Sequence, residues 1–185
     1  EVPVRAVVAK DGEPVAVAHN TRETGKNATH DAELLAIDAA CRALGGWRLW
    51  QCELFVTLEP CPMCAGAIVN SRIKRVVYGA RDAKAGCCGS VTDLFALPFN
   101  HRPQVEGGLL EDECAALLAA WPHAAVPSGS RVLAAASSFG RRELLHRPNL
   151  LRAMLIDAAE RPEGEDALEE LSCNLDDCTG EVTGY

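Results

Sequence analysis

Pro60-Cys61-Pro62-Met63-Cys64 places two thiols where a run of strand-forming residues gives way to a predicted helix. Two thiolates at that spacing can reach one metal ion, and a helix N-terminus favours their anionic form. The same spacing also serves thiol–disulfide exchange, so the pair alone leaves two chemistries open. About thirty residues upstream, Asp31-Ala32-Glu33 stands at a second predicted helix start. A catalytic zinc takes three protein ligands and keeps its fourth position for water. Asp31, Cys61 and Cys64 can supply those three ligands, and Glu33 is placed to move protons without touching the metal. The combination favours metal-assisted hydrolysis over redox exchange. His30 is the alternative third ligand, but a one-residue slip on a helix turns a side chain by roughly 100°. Asp31 is therefore preferred, and His30 reads as a loop residue.

The elements that must position these groups follow from hydrophobic pattern and turn residues. An apolar strand is expected over Val2–Val8, and Asp11-Gly12 between apolar runs signals a hairpin. A return strand is expected at about Pro14–Ala18, then a polar loop from His19 to Thr29. A largely apolar helix containing Ala32, Leu34, Leu35, Ile37, Ala39 and Ala40 should stop at Gly45-Gly46. Leu54–Leu58 reads as a buried strand, Cys64–Val69 as a buried helix and Arg75–Gly79 as a further strand. Strands alternating with helices imply an α/β layer structure.

The 185-residue chain is 48% hydrophobic, which suits a packed core and argues against disorder. No apolar run is long enough to span a bilayer. The chain opens inside a predicted strand without an initiator Met, so the natural N-terminus is expected further upstream. Nine Cys, an odd number with one Cys-x-x-Cys, fit a reducing compartment with some thiols on metal. Cys87-Cys88, Cys41, Cys52 and Cys114 read as small buried thiols. The formal charge of −8 disfavours nucleic-acid binding. Its distribution is uneven, with 12 Lys/Arg against 15 Asp/Glu over residues 1–125 and 6 against 11 beyond. The first part is thus near neutral, and a local basic groove remains compatible with it.

The order His-x-Glu followed by Pro-Cys-x-x-Cys is the signature of zinc-dependent nucleobase deaminases. The segments 27–36, 56–67 and 76–82 of this chain resemble the tRNA-specific adenosine deaminase family. Gly89-Ser90, Asn100-His101-Arg102 and Gly107-Gly108-Leu109-Leu110 extend the likeness to about residue 120. The resemblance implies a three-layer cytidine-deaminase-like α/β fold, a sheet with helices on both faces, followed by a short C-terminal extension. It implies one zinc per chain on Asp31, Cys61 and Cys64, with Glu33 as general acid/base. Asn20 and Ala32 would meet the target base. Arg81, Asp82, Asn100, His101 and Arg102 would lie toward the tRNA anticodon loop. The implied activity is hydrolytic: a zinc-activated water attacks C6 of a wobble adenosine, ammonia leaves and inosine remains. A homodimer in the cytoplasm, with no membrane association, is expected on the same ground.

The family has His where this chain has Asp31 and Gly where it has Arg5. With two thiolates and a carboxylate, a zinc site carries about −1, which should make its water less acidic and the centre slower. The family also ends its domain on a basic helix, whereas Leu117–Pro122 carries no cation. Deamination of a free guanine or cytosine, or an inactive partner subunit, are the alternatives. The deaminase domain is assigned to residues 1–125, a linker to 126–146 and an incomplete extension to 147–185. Arg147–Arg152 and Cys173–Glu181 resemble the nickel-pincer cofactor cyclometallase family, and no nickel function is carried over from so short a match.

Overall fold

The computed structural model describes residues 1–120. The linker, the boundary near residue 126 and the C-terminal extension lie outside the described residues. Strands β1 (Arg5–Lys10) and β2 (Glu13–His19) form a hairpin. Its turn residues Asp11 and Gly12 have φ of 53° and 87°, both left-handed, as a tight Asp-Gly hairpin turn requires. The first strand begins at Arg5 rather than Val2, where pairing with His19 starts. Pro3, three residues into the chain, has no N–H to offer a ladder.

Helix α1 (Ala32–Ala43) follows, then β3 (Cys52–Leu58), α2 (Pro62–Ser71) and β4 (Arg75–Ala80). A short 3-10 turn over Leu94–Ala96, strand β5 (Gln104–Glu106) and helix α3 (Glu111–Ala119) complete the described part. The sheet order is β2-β1-β3-β4-β5. β1 runs antiparallel to β2 and β3, while β3, β4 and β5 are mutually parallel.

Side chains that alternate along the strands divide the core in two, as a sheet covered on both faces demands. Ala6, Val8, Leu54, Val56 and Val76 meet Ala36, Ala40, Ala65 and Ile68 of α1 and α2 on one face. Val7, Phe55 and Val77 meet Cys114, Leu117 and Leu118 of α3 on the other. The three-layer α/β arrangement read from the sequence is thereby observed. Among the described residues, no helix is long and apolar enough to cross a membrane.

Strand direction decides where the site falls. Leu58 pairs with Ala80, and Arg5 with His19, so β2, β3 and β4 end on the same side of the sheet. The loop after β2, the start of α1 and the start of α2 therefore converge there.

Candidate active site

Asp31 is the N-cap of α1 and Cys61 the N-cap of α2, both in extended backbone with φ/ψ of −75°/149° and −73°/173°. The Asp31 side chain makes no bond back to its own helix, whereas the Cys61 sulfur is met by the Cys64 thiol and backbone N–H. The two side chains face each other. The Cys61 sulfur lies 3.4 Å from Asp31 Oδ2, and the Cys64 sulfur 3.5 Å from the same oxygen. The ligand atoms of Asp31, Cys61 and Cys64 all lie within 4.8 Å of one another. Sulfur at about 2.3 Å and carboxylate oxygen at about 2.1 Å from a tetrahedral zinc stand about 3.6 Å apart. The two Sγ–Oδ2 distances are close to that edge, so the residues present fit a divalent metal held through one oxygen of Asp31.

Glu33 is the second residue of α1, in its first turn, and is only 4% exposed. Burial pushes its carboxyl up to about 8, opposed by its own backbone N–H and reinforced by the charges of Cys61 and Asp31. A carboxyl poised there can take or give a proton near neutral pH. The thiol of Cys64 donates to Cys61 and brings that group down to about 7, against the cost of burial. Cys64, fully buried and the donor of that bond, is held well above its ordinary value.

His30 does not join the cluster. Its Nε2 meets Asn27 Nδ2 at 2.8 Å and its Nδ1 meets Thr21 Oγ1 at 3.3 Å. The ring thus closes the 20–30 loop on itself. Asn20 is 6% exposed. Its Oδ1 accepts from the Val4 N–H at 3.2 Å and its Nδ2 donates to Glu1 Oε2 at 3.3 Å. Ala32 is fully buried at the first turn of α1.

The remaining candidates divide between the two ends of the sheet. Arg81 and Asp82 follow β4 directly, on the side of Cys61, and Arg81 Nε lies 4.0 Å from Glu111 Oε1. Asn100, His101 and Arg102 precede β5, whose Gln104 pairs with Arg75 at the start of β4. They therefore sit at the opposite end. His101 Nε2 donates to the Ile73 carbonyl there at 2.7 Å.

One residue essential to the site's shape was not singled out from sequence. Glu59, 1% exposed, precedes Pro60 and reaches across to the 82–90 loop. It accepts from the backbone N–H of Asp82 (3.1 Å), Cys88 (2.8 Å) and Ser90 (3.1 Å), and from the Ser90 hydroxyl. A Cβ on Gly86 would stand 2.5 Å from Glu59 Cδ and 2.6 Å from the Asp82 carbonyl, so the loop closes only on glycine. A Glu beside Pro-Cys together with Gly86 and Gly89-Ser90 was the available signal. Burial raises the Glu59 carboxyl, but the Ser90 hydroxyl and three backbone N–H groups outweigh it and leave the group below its ordinary value. A carboxyl depressed by folding stabilises above its unfolded pKa, and that contribution disappears as pH falls through the folded one. Glu59→Gln should cost about 1–3 kcal/mol at pH 7. It should also flatten the loss of stability between about pH 5 and 3. Urea unfolding at both pH values reads this directly, and parallel wild-type and variant curves would exclude the role.

A family model described as MafB19-like deaminase matches residues 1–113. The tRNA-specific adenosine deaminase of Bacillus subtilis (strain 168) is 52% identical over 122 residues, covering 65% of this chain and 76% of that protein. The chain belongs to the MafB19-like deaminases, among the tRNA-specific adenosine deaminases. A solved structure from studies of A-to-I editing by tRNA:A34 deaminases at the wobble position superposes on this deaminase with a TM-score of 0.62. It is 44% identical, covering 63% of the deaminase chain and 86% of that structure. A guanine deaminase from Nitrosomonas europaea is 28% identical, with a TM-score of 0.50 over 63% of this chain and 71% of that one. A second family model, described as nickel insertion protein, matches residues 90–185 of the deaminase, so the chain also belongs to that family over its C-terminal half. Residues 90–120 of that match are built into the deaminase fold described here.

Proposed function

We propose that the chain deaminates adenosine to inosine by hydrolysis at the wobble position of a tRNA, using zinc on Asp31, Cys61 and Cys64. The observation that carries this is the meeting of the two helix starts, with a buried Glu33 in the first turn of α1. When bound, zinc lowers the pKa of a water in its open position to near 7. Glu33 accepts a proton from the attacking water and returns one to the departing amino nitrogen, so adenosine and water become inosine and ammonia. The strand ends and helix starts around Glu33 shield the transfer from bulk water.

Asn20, held rigid by Val4 at the end of β2, is assigned to the target base together with Ala32. Arg81 and Asp82 are assigned to the anticodon loop, since they flank the site. Asn100, His101 and Arg102 would meet a part of the tRNA, or of a second copy in a homodimer, away from the reacting base.

The test is inosine formation in an anticodon stem-loop carrying a wobble adenosine, with zinc-loaded protein. Conversion that depends on the unpaired wobble adenosine is the expected result. Turnover of free guanine or cytosine with an untouched stem-loop would select a small-molecule deaminase instead. That second reading has one observation on its side: the last turn of α3 carries no basic residue to hold phosphates.

A further inference from the structure

Asp31 has two oxygens, and the structure gives them different neighbours. Oδ2 faces the sulfurs of Cys61 and Cys64 at 3.4 and 3.5 Å. Oδ1 faces Arg22, whose Nη1 lies 3.6 Å away. Asp31 is 16% exposed at its side chain and Arg22 55%, so a largely buried carboxylate meets a cation at the surface of the site.

The position of Arg22 is not left to its own flexible side chain alone. The Thr21 N–H donates to the His30 carbonyl at 3.0 Å, and the Asn27 N–H to the Arg22 carbonyl at 3.2 Å. The His30 ring, clamped between Thr21 and Asn27, ties the two ends of the loop together. A Cβ on Gly25 would lie 2.8 Å from the Thr21 carbonyl and 2.9 Å from His30 Nδ1, so the loop can pack this tightly only with glycine there. The result is a rigid neck in which the backbone of Arg22 is set against the helix start at Asp31.

We infer that Arg22 is a positioning residue for the metal centre, required because the third ligand is a carboxylate. Two thiolates and one carboxylate around a divalent ion leave a net charge of about −1, and a guanidinium beside the free oxygen returns the neighbourhood to neutral. It also occupies Oδ1, which keeps Asp31 on one oxygen and preserves a four-coordinate site with an open position. A neutral ligand at position 31 would need neither service. The inference rests on the reading of Asp31, Cys61 and Cys64 as the metal site.

That dependence makes the test specific. Partners of metal ligands change affinity by about 10–100-fold, and a half-exposed cation belongs at or below the low end of that range. Arg22→Gln should therefore weaken zinc binding about three- to tenfold, measured by competition with a chromophoric chelator. It should also shift the visible spectrum of the cobalt(II)-substituted protein as the carboxylate becomes bidentate. Arg22→Lys should recover most of the affinity, since it restores the charge. In an Asp31→His background, Arg22→Gln should move the affinity less than about twofold. An equal loss in both backgrounds would mean a general structural effect and overturn the inference, as would unchanged affinity and cobalt spectrum in Arg22→Gln. Circular dichroism of each variant separates misfolding from either outcome. Wild-type protein that takes up neither zinc nor cobalt would overturn the metal-site reading itself, and the assignment of Arg22 with it.

Discussion

Glu33→Gln should lower inosine formation by about a thousandfold or more while zinc content stays at the wild-type level. Proton transfer by a positioned side chain is worth roughly 10²–10⁴ in rate, and Glu33 would serve more than one transfer here. Gln keeps the shape of the side chain, so the packing of a residue only 4% exposed is preserved. The variant also removes a group whose ionised form is opposed by burial and by the charges of Cys61 and Asp31. Thermal stability should therefore hold or rise as activity disappears. Single-turnover kinetics on a wobble stem-loop, beside a zinc determination on the same sample, gives the comparison. A rate within about tenfold of wild type would remove Glu33 from the proton pathway.

The second large effect is a gain. Asp31→His, with zinc reloaded, should raise the rate by about tenfold. His brings no charge, so the ligand set moves from about −1 to neutral with the Arg22 cation still nearby, and its water becomes more acidic. Asp31 sits in extended backbone at the cap, where its side chain makes no bond to the helix that follows. Its Oδ2 occupies the position between the two sulfurs that an imidazole nitrogen would take. Metal content, rate and melting temperature would be followed together. No gain in either zinc affinity or rate would mean that the carboxylate is not what limits this centre.

The parts of the fold that place Asp31, Glu33, Cys61 and Cys64 were legible because each is written in local chemistry. Asp11-Gly12 announces its hairpin, Gly45 (φ 68°) follows the end of α1, and the Pro at position 62 opens α2. The parts missed carry little local signal. β5 is three residues long, exposed throughout and defined only by its pairing with β4. The role of Glu59 depends on N–H groups 23 to 31 residues away, which no spacing rule reaches. Family resemblance, in turn, transfers positions along a chain and not distances across it. It puts Asn100–Arg102 together with Arg81 and Asp82, yet one set adjoins the start of β4 and the other its end. The pairing of Arg22 with Asp31 likewise depends on how the loop between them closes, which no local pattern states.

Asp31 stands where a helix ordinarily keeps a side chain to satisfy its first free N–H groups, and it looks across to Cys61 and Cys64 instead. A missing cap typically leaves a helix about 1 kcal/mol weaker at that end. That end meets the start of α2 at one point. Stripping the metal should therefore loosen the first turns of α1 and α2 before anything else. Amide hydrogen exchange would see protons near Glu33 and Cys64 released early while those of β1, β3 and β4 stay protected. The same ion that serves the reaction would then act as the clasp of the domain, and scarcity of metal would be sensed first as local fraying.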